Sequence, residues 1–392
     1  MTSHRSNIVR KGIALLSSII FIAFLCTPIV GSVFKLAPSV PIMESSPPPL
    51  PEFRCDVAWL SSVFTKLRRG WLEKNFAFRE VLVRWQNMFN ILALDSSTQY
   101  DSVMAGKNNW LFLSQENHEL NVVTDYRTVT PYTQHDLDFW VKEFTRRRDM
   151  LAAKGIHYLV VMPPNKHTVY ADQLPDELNR VHDFSKADQL ITALRNVGIE
   201  VVDLRDALAK ATKDHLTYYR TDNHWTTYGA HAGYTVIINA LAKWFPNLKP
   251  TTLDDYNIDV RPGLLGGLGY MLAMGDHYTE DKITFTPKAG RKAREVPVDY
   301  THPRFFQPPI AMETGDPTLP KAVVIRDSFS HELVPLLSEK FNRIIYLWPY
   351  PTDSQYVRHF GEEVIDAEKP DVVIDEFVER YFTRPPPKHS RQ

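Results

Sequence analysis

The sequence predicts an α/β fold in which a parallel sheet carries helices on both faces. Short apolar segments rich in strand-forming residues alternate with longer segments whose apolar residues recur at helical spacing. Gly and Pro stand at the boundaries between these segments, where the chain is expected to turn. Continuous apolar strands are typical of parallel sheets, and the active sites of such sheets lie at the carboxyl ends of the strands.

Five strands and five helices follow from this pattern. The strands are predicted at residues 156–162, 199–204, 321–325, 343–348 and 371–375. The helices are predicted at residues 132–154, 183–197, 228–245, 329–341 and 354–368. A turn at Gly106 is predicted to lead into a strand that ends at Leu113, and apolar residues at helical spacing predict helices within 57–93. Residues 250–320 are rich in Pro and Gly, which predicts an irregular insertion near the site.

The N-terminus is predicted to be an export signal. Basic residues precede an uncharged run from Gly12 to about Phe34, the pattern of a segment whose positive end stays in the cytoplasm. A bilayer span needs about 20 apolar residues, and this run is long enough. We therefore predict an uncleaved signal anchor over residues 1–35 in a bacterial inner membrane, with cleavage near Ser32 as the alternative.

The rest of the chain is expected to form one large domain. A Pro-rich linker is predicted at 36–54, a catalytic domain at 55–382 and a solvated tail at 383–392. With only two cysteines, one of them inside the apolar run, a disulfide scaffold and a Cys-based zinc site are excluded. The net charge of -1 argues against general nucleic-acid binding, which needs a strongly basic face.

A serine stands where a predicted strand passes into a predicted helix. Ser328 follows the strand 321–325, so its side chain is expected at the carboxyl edge of the sheet, beside free N–H groups of the helix start. Such N–H groups stabilise the negative oxygen of a tetrahedral intermediate, which makes Ser328 a candidate nucleophile. Taken alone, the position is better explained by Asp327 or Ser328 capping the helix.

A second motif could supply the base that a serine needs. Asp222 and His224 are two residues apart and precede the helix predicted at 228–245. In an extended segment their side chains project to the same side, and a carboxylate can orient a histidine that accepts the serine proton. Helix capping and a metal site with one His and one carboxylate remain the alternatives for this pair, although no further motif completes a metal shell.

Together the two motifs resemble those of a known family. Thr221-Asp-Asn-His-Trp-Thr226 with Gly229, followed by Arg326-Asp-Ser-Phe329, resembles the SGNH-hydrolase-like O-acetyltransferases of bacterial exopolysaccharides, of the alginate O-acetyltransferase type (AlgJ/AlgX-like). Further matches run in the family's order over roughly 70–382: Gly106-Lys-Asn-Asn-Trp-Leu-Phe112, Pro163-Pro-Asn-Lys166 with Tyr170, and Pro370–Arg380.

The resemblance implies a fold, a site and partners. It implies an SGNH-like α/β core in which the Asp-His block precedes the Ser block, with Ser328, His224 and Asp222 as a catalytic triad. It implies no cofactor and no metal. Partners would be a polysaccharide acceptor and a membrane-bound O-acyltransferase that supplies acetyl groups on the periplasmic side. Candidates for oxyanion or substrate contacts are Asn165, Arg326, Tyr170 and Trp225, and Arg326 could equally be a charge at the helix end.

Three functions are compatible with these residues. The first is an exopolysaccharide O-acetyltransferase that works through an acetyl-Ser328 intermediate. The second is a periplasmic carbohydrate esterase, since the same site would hydrolyse the ester if water replaced the sugar hydroxyl. The third is a non-catalytic subunit of a polysaccharide export complex. The polymer is left open by the motifs and includes alginate, cellulose and other polysaccharides.

Overall fold

The structure, a computed structural model, describes residues 2–34, 36, 78–93, 102–117, 120–350 and 357–387. The chain divides into two compact units, one made of 1–96 with 269–278 and the other of 97–268 with 279–392. Every candidate site residue lies in the second unit. Apart from Leu36, the predicted linker and the predicted start of the catalytic domain lie outside the described residues, so these boundaries stay predictions.

The described residues form thirteen strands. In chain order they are β1 (Val103–Ala105), β2 (Leu111–Leu113), β3 (Gln115–Asn117), β4 (Leu120–Asn121), β5 (His157–Met162), β6 (Glu200–Asp203), β7 (Tyr256–Leu265), β8 (Thr279–Pro287), β9 (Arg294–Val296), β10 (Ile310–Glu313), β11 (Lys321–Ile325), β12 (Arg343–Leu347) and β13 (Val372–Glu376). Each of the five strands predicted in the alternating part of the chain is present, as is the strand that ends at Leu113.

Seven of these strands form the central sheet of the second unit, in the order β6-β5-β13-β11-β12-β10-β9. The five predicted strands run parallel to one another, and β10 and β9 extend the sheet as antiparallel strands. Nearly all residues of β5, β11, β12 and β13 are buried, so both faces of the sheet are covered. The predicted α/β fold with a parallel sheet is confirmed.

The described helices are α1 (Thr2–Phe34), α2 (Arg79–Met88), α3 (Val122–Tyr126), α4 (Gln134–Ala152), α5 (Lys166–Val169), α6 (Lys186–Asn196), α7 (Arg205–Ala211), α8 (Thr227–Leu241), α9 (Gly267–Met271), α10 (Ser330–Leu337), α11 (Glu362–Glu368) and α12 (Glu379–Phe382). Capping boxes start α4 and α6, at Thr133 with Asp136 and at Ser185 with Asp188. Helices α4 and α6 pack together, and α8 packs with α7 and α10.

Parallel register brings the ends of neighbouring strands to one edge of the sheet. Ile325, the last residue of β11, pairs with Leu347 of β12 and with Asp375 of β13. Glu376 at the end of β13 pairs in turn with Val161 of β5. The segments that follow these four strands therefore leave the sheet side by side, and this edge carries the candidate site.

Residues 250–320 contain more regular structure than we predicted. Strands β7 and β8 form a long antiparallel hairpin, while β9 and β10 belong to the central sheet. The prediction of an irregular insertion is wrong. The strands were not recognised in the sequence because most side chains of β7 and β8 are exposed. Such strands lack the alternation of buried and exposed residues by which a half-buried strand is recognised.

The first unit is described in part. Helix α2 ends in a π-helical turn at Phe89–Ala93, and its residues Arg84 and Asn87 bond to the segment 269–278. The predicted anchor lies within helix α1. Counting only the described residues, no helix qualifies on length and hydropathy together as a membrane span. The signal anchor stays a prediction.

The C-terminal segment is packed where we predicted a solvated tail. The carbonyl of Arg384 accepts hydrogen bonds from the Tyr132 hydroxyl at 2.6 Å and from the Trp140 indole at 3.1 Å, and both Thr383 and Arg384 are buried. The polar and Pro-rich composition predicts an exposed segment. The segment is packed instead because the buried hydroxyl of Tyr132 and the buried indole N–H of Trp140 need a hydrogen-bond acceptor, which the Arg384 carbonyl supplies. The prediction is wrong for residues 383–387, and 388–392 lie outside the described residues.

Candidate functional site

Ser328 lies in the short segment between β11 and α10. Asp327 shapes this segment, since its two carboxylate oxygens accept the N–H groups of Phe329 and Val378, each at 2.8 Å. The N-cap residue of α10 is Phe329, which makes no side-chain cap hydrogen bond, so neither Asp327 nor Ser328 has the capping role considered for this position. The Ser328 side chain is half-buried, and the Ser328 N–H makes no hydrogen bond with any described residue. Both groups are therefore free to face a reacting ester.

His224 connects the two predicted motifs. Its Nε2 lies 2.8 Å from Ser328 Oγ, and its Nδ1 lies 2.7 Å from Asp222 Oδ1. The structure thus brings together the three residues predicted as a triad, although the serine is separated from the histidine by 104 positions. With Nδ1 protonated toward the carboxylate, Nε2 presents its lone pair to the serine hydroxyl.

The Asp222 carboxylate is fully engaged. Oδ1 also accepts the backbone N–H of His224 at 2.9 Å, and Oδ2 accepts the N–H of Gly267 at 2.7 Å. Burial raises the pKa of this carboxyl, but the bonds from His224 and Gly267 outweigh burial and hold the pKa well below its ordinary value. Asp222 is therefore ionised and fixed in orientation, as a group that orients a histidine must be.

Lys166 supports the segment that carries Asp222. The sequence did not predict a functional role for this lysine. Its buried ammonium donates to the carbonyls of Tyr219, Arg220 and Asp222, at 2.8, 2.9 and 2.7 Å. Burial lowers the pKa of this ammonium to about 7, against the opposing effect of the Asp222 and Glu280 carboxylates. The only sequence signal was its place in the Pro163–Lys166 match.

Glu280 braces the same segment from the hairpin. Its carboxylate accepts the N–H groups of Arg220 and Thr221, both at 2.7 Å, and the Thr221 hydroxyl at 2.6 Å. Gly266 approaches Thr221 so closely that an added Cβ would lie 2.2 Å from the threonine hydroxyl. The β7–β8 hairpin, predicted to be irregular, therefore positions the carboxylate that orients His224.

Two predicted substrate contacts are buried and occupied instead. Trp225 is fully buried, and its indole donates to the Phe329 carbonyl at 3.0 Å. The Tyr170 hydroxyl accepts the N–H of Thr217 at 2.9 Å beneath the same loop. They were predicted as candidates for oxyanion or substrate contacts, but the bonds show that they hold the His224 and Ser328 segments in place. A direct substrate contact by either side chain is not supported.

Arg326 and Asn165 lie next to the site but are also buried. The Arg326 guanidinium lies 4.4 Å from the ring centre of Trp348, and burial lowers its pKa against the carboxylates of Glu376 and Asp327. The Asn165 N–H donates to Glu379 at 2.8 Å. Of the two interpretations of Arg326, the buried position favours a charge beneath the Ser328 segment. The oxyanion role of Asn165 stays a prediction.

Glu116 is a further charged residue near the histidine. It accepts a hydrogen bond from Arg380 Nε at 2.6 Å and one from the Tyr381 hydroxyl. Burial raises the pKa of Glu116, but Arg380, Tyr381 and the charge of His224 lower it below its ordinary value. Arg380 in turn lies 5.6 Å from the ring centre of Phe329. This pair was not predicted, because Glu116 stands in none of the matched blocks and the match Pro370–Arg380 assigns no role to Arg380.

A possible metal cluster lies apart from the triad. Among the described residues, His302, His359 and Glu363 offer one ligand atom each, all within 4.8 Å of one another. The two imidazole rings are stacked at 3.9 Å, and His359 Nε2 lies 3.0 Å from Glu363. None of these residues contacts Ser328, His224 or Asp222, so the cluster supplies nothing to the chemistry of the triad.

The arrangement around Ser328 suits nucleophilic acyl transfer. The histidine can accept the serine proton, the ionised carboxylate stabilises the imidazolium that forms, and the N–H of Ser328 is available to the developing oxyanion. His224 and Asp222 retain 35% and 23% of their side-chain exposure, so the site is open to substrate.

Comparisons with known proteins find relatives of part of this chain. Residues 103–269 match the family model described as the SGNH hydrolase-like domain of acetyltransferase AlgX. The matched residues include Asp222 and His224, and Ser328 lies beyond them. The chain is similar to the alginate biosynthesis protein AlgX of Pseudomonas fluorescens, with 22% identity over 301 residues, 72% of this chain and 56% of that protein.

Two further similarities concern another relative and the fold. The probable alginate O-acetylase AlgJ of Azotobacter vinelandii is 23% identical over 211 residues, 53% of this chain and 45% of that protein. The chain thus spans about half the length of these curated relatives. The structure of PatB1 from Bacillus cereus covers 72% of this chain and 97% of its own, with a TM-score of 0.51 and 16% identity, which shows a shared fold. The comparisons confirm the resemblance found in the motifs: residues 103–269 are similar to the SGNH hydrolase-like domain of acetyltransferase AlgX.

Proposed function

We propose that this chain is an O-acetyltransferase that moves acetyl groups onto hydroxyls of an exopolysaccharide through an acetyl-Ser328 intermediate. The observation that carries the proposal is the hydrogen-bonded series Ser328–His224–Asp222, with contacts of 2.8 and 2.7 Å, at the carboxyl edge of the sheet. Its relatives AlgX and AlgJ are named for alginate biosynthesis and alginate O-acetylation, so alginate is the first acceptor to test.

In the first half-reaction, Ser328 Oγ attacks the carbonyl carbon of an acetyl ester while His224 Nε2 takes the serine proton. The tetrahedral oxyanion is held by the Ser328 N–H, with Asn165 or a nearby amide as the second donor. When the C–O bond to the donor breaks, His224 returns the proton to the leaving oxygen. The acetyl group then remains as an ester on Ser328.

In the second half-reaction, a sugar hydroxyl attacks the acetyl-Ser328 carbonyl and His224 Nε2 takes the hydroxyl proton. Collapse of the intermediate restores Ser328 Oγ–H with the same proton. Water could replace the sugar in this step, because the triad is partly exposed. The carbohydrate esterase is therefore the second candidate, and acceptor binding decides between the two.

The proposal includes a location and partners. A signal anchor over residues 1–35 would hold the domain on the periplasmic side of the inner membrane. There the polysaccharide acceptor and a membrane-bound O-acyltransferase that delivers acetyl groups would meet it. These features rest on the apolar N-terminal run and on the similarity to AlgJ and AlgX.

The test uses the full chain purified in detergent and p-nitrophenyl acetate as donor. Wild type is expected to release p-nitrophenol, with Ser328→Ala slower by about 10³-fold or more. Acetylated sugar formed from an alginate oligosaccharide supports the transferase, whereas acetate release that the acceptor leaves unchanged supports the esterase. Equal rates for wild type and Ser328→Ala would exclude catalysis by the triad and favour a non-catalytic subunit.

A further inference from the structure

A cluster of aromatic side chains lies beside the Ser328 segment and is not used by the triad. It consists of Phe306, Trp348, Tyr350 and His331, which we call the aromatic platform. The Phe306 ring lies 5.0 Å from Trp348 and 5.5 Å from Tyr350, and the His331 ring lies 5.0 Å from Trp348. The rings form one contiguous cluster in which the Phe306 plane is tilted by 49° to Trp348 and by 88° to Tyr350.

Two extended segments hold the platform in a fixed arrangement. The Phe306 N–H donates to the Trp348 carbonyl at 2.7 Å, and the Tyr350 N–H donates to the Arg304 carbonyl at 2.8 Å. Trp348 and Tyr350 are two residues apart, so in this antiparallel pairing their side chains share a face. The rings are thus set by backbone bonds before any ligand binds.

Backbone hydrogen bonds connect the segments that carry the platform to the segment that carries Ser328. The Arg326 N–H donates to the Leu347 carbonyl at 2.8 Å, which joins the serine segment to the strand that precedes Trp348. The His331 N–H donates to the Ser328 carbonyl at 3.2 Å, so His331 lies one helical turn beyond the nucleophile. The platform therefore adjoins the segment that carries Ser328.

Exposure distinguishes these rings from core aromatics. Phe306 and Tyr350 keep 50% and 52% of their surface exposed to solvent. Many other aromatic residues of the protein are buried in its hydrophobic core. Trp348 is packed from behind by the Arg326 guanidinium, which keeps its ring in place without covering the cluster with apolar groups. Preformed and exposed aromatic rings near a reaction centre suit a pyranose ring, because its C–H face can pack on an aromatic ring while its hydroxyls stay hydrated.

We propose that the aromatic platform is the subsite for the sugar acceptor: a pyranose ring packs against Phe306 and Tyr350 and thereby places one of its hydroxyls at acetyl-Ser328. This inference rests on the proposed function, since it assigns the acceptor of the same site. It also gives a physical basis for transfer over hydrolysis, because a sugar held on these rings would displace water from the vicinity of Ser328.

The experiment measures binding separately from chemistry. The full chain with Ser328→Ala, which cannot form the acetyl-enzyme, is titrated calorimetrically with an alginate oligosaccharide and with a cello-oligosaccharide of equal length. Adding Phe306→Ala or Tyr350→Ala is expected to weaken binding about tenfold, the size of a lost aromatic contact. Phe306→Tyr keeps the ring and is expected to restore the affinity, which separates stacking from misfolding. Phe184→Ala, an exposed phenylalanine whose ring stacks on His182, is the matched control and should bind like its parent.

The outcomes separate the platform from the proposed function. Binding that depends on Phe306 and Tyr350 supports the platform even if wild type transfers no acetyl group, in which case only the transferase proposal fails. Equal affinity of Phe306→Ala, Tyr350→Ala and Phe184→Ala overturns the platform, and so does the absence of binding by either sugar. Binding of the alginate oligosaccharide alone would identify an acidic acceptor. Binding of both oligosaccharides would show that the platform recognises the pyranose ring rather than its carboxylate.

Discussion

At the scale of single residues, the site depends on carboxylates and carbonyls whose hydrogen bonds are complete. Asp222 accepts three N–H groups, from the backbone of His224, the ring of His224 and the backbone of Gly267. Asp327 likewise uses both oxygens to set the turn that carries Ser328. Because each orienting group has fixed partners, the serine and the histidine stay close without rearrangement when a substrate binds.

Asp222 should make stability depend on pH in acid. The pKa of its carboxyl lies below the ordinary value of 3.8 when the chain is folded and returns toward that value on unfolding. As the pH falls below about 4, the unfolded chain therefore takes up a proton that the folded chain does not. The stability contributed by the ionised carboxylate is complete above this pH and is lost as the pH falls toward the lower, folded pKa.

We therefore expect Asp222→Asn to lower the free energy of unfolding by about 2 kcal/mol near neutral pH and by clearly less near pH 3. Urea denaturation of wild type and variant at a series of pH values measures the difference. A difference that stays constant from neutral pH to pH 3 would show that the carboxylate carries no such linkage.

Some residues of the site could be predicted from the sequence and others could not. Ser328, His224 and Asp222 were predicted because their types and their positions before helices match a known order of blocks. Lys166 and Glu280 were not, since their roles depend on backbone carbonyls and N–H groups that only the folded loop brings together. Trp225 was predicted at the site but assigned to substrate, because a sequence motif does not reveal that an indole is fully buried.

At the scale of elements, the β7–β8 hairpin acts as a brace for the Asp222 segment. Gly267 at its end donates to Asp222, and the Leu268 N–H donates to the Thr221 carbonyl at 3.1 Å. These bonds require a close approach of two backbones, which Gly266 permits because it has no side chain. The hairpin was predicted as irregular, so its part in the site could not be foreseen.

Gly266→Ala tests this brace. The added Cβ would lie 2.2 Å from the Thr221 hydroxyl and 2.3 Å from the Thr221 carbonyl oxygen, so the hairpin end must move away. The bond from Gly267 to Asp222 would then be lost, and we expect kcat for ester cleavage to fall about 10- to 100-fold. Val260→Ala, on an exposed position of the same hairpin, is the control and should retain wild-type kcat.

Steady-state kinetics and circular dichroism together decide the result. A folded Gly266→Ala protein with kcat within about twofold of wild type would show that the hairpin does not position Asp222. A loss of kcat in Val260→Ala of the same size would show that the hairpin acts through general stability instead.

At the scale of the whole molecule, the parallel register of four strands creates the site. The ends of β5, β13, β11 and β12 meet at one edge, so residues far apart in the chain become neighbours. The strands could be predicted because continuous apolar runs between helices are recognisable locally. The antiparallel extension by β9 and β10 could not, since short strands at a sheet edge carry little pattern of their own.

The site and the predicted signal anchor belong to different compact units. The second unit holds the sheet, the triad and the aromatic platform, and each of these features is a consequence of contacts within it. The signal anchor over residues 1–35 belongs to the first unit and is a prediction from the sequence. The proposed chemistry at Ser328 does not depend on it, although the proposed location does.

The central claim is that Ser328 carries the acetyl group between donor and acceptor, and mass spectrometry tests it directly. The full chain is mixed with p-nitrophenyl acetate, quenched in acid within the first turnover and digested. We expect one acetyl group on Ser328 in wild type, removed when an acceptor sugar is added before the quench, and none in His224→Ala. An unmodified Ser328 in a protein that is cleaving the ester, or an acetyl group found equally in His224→Ala, would contradict it.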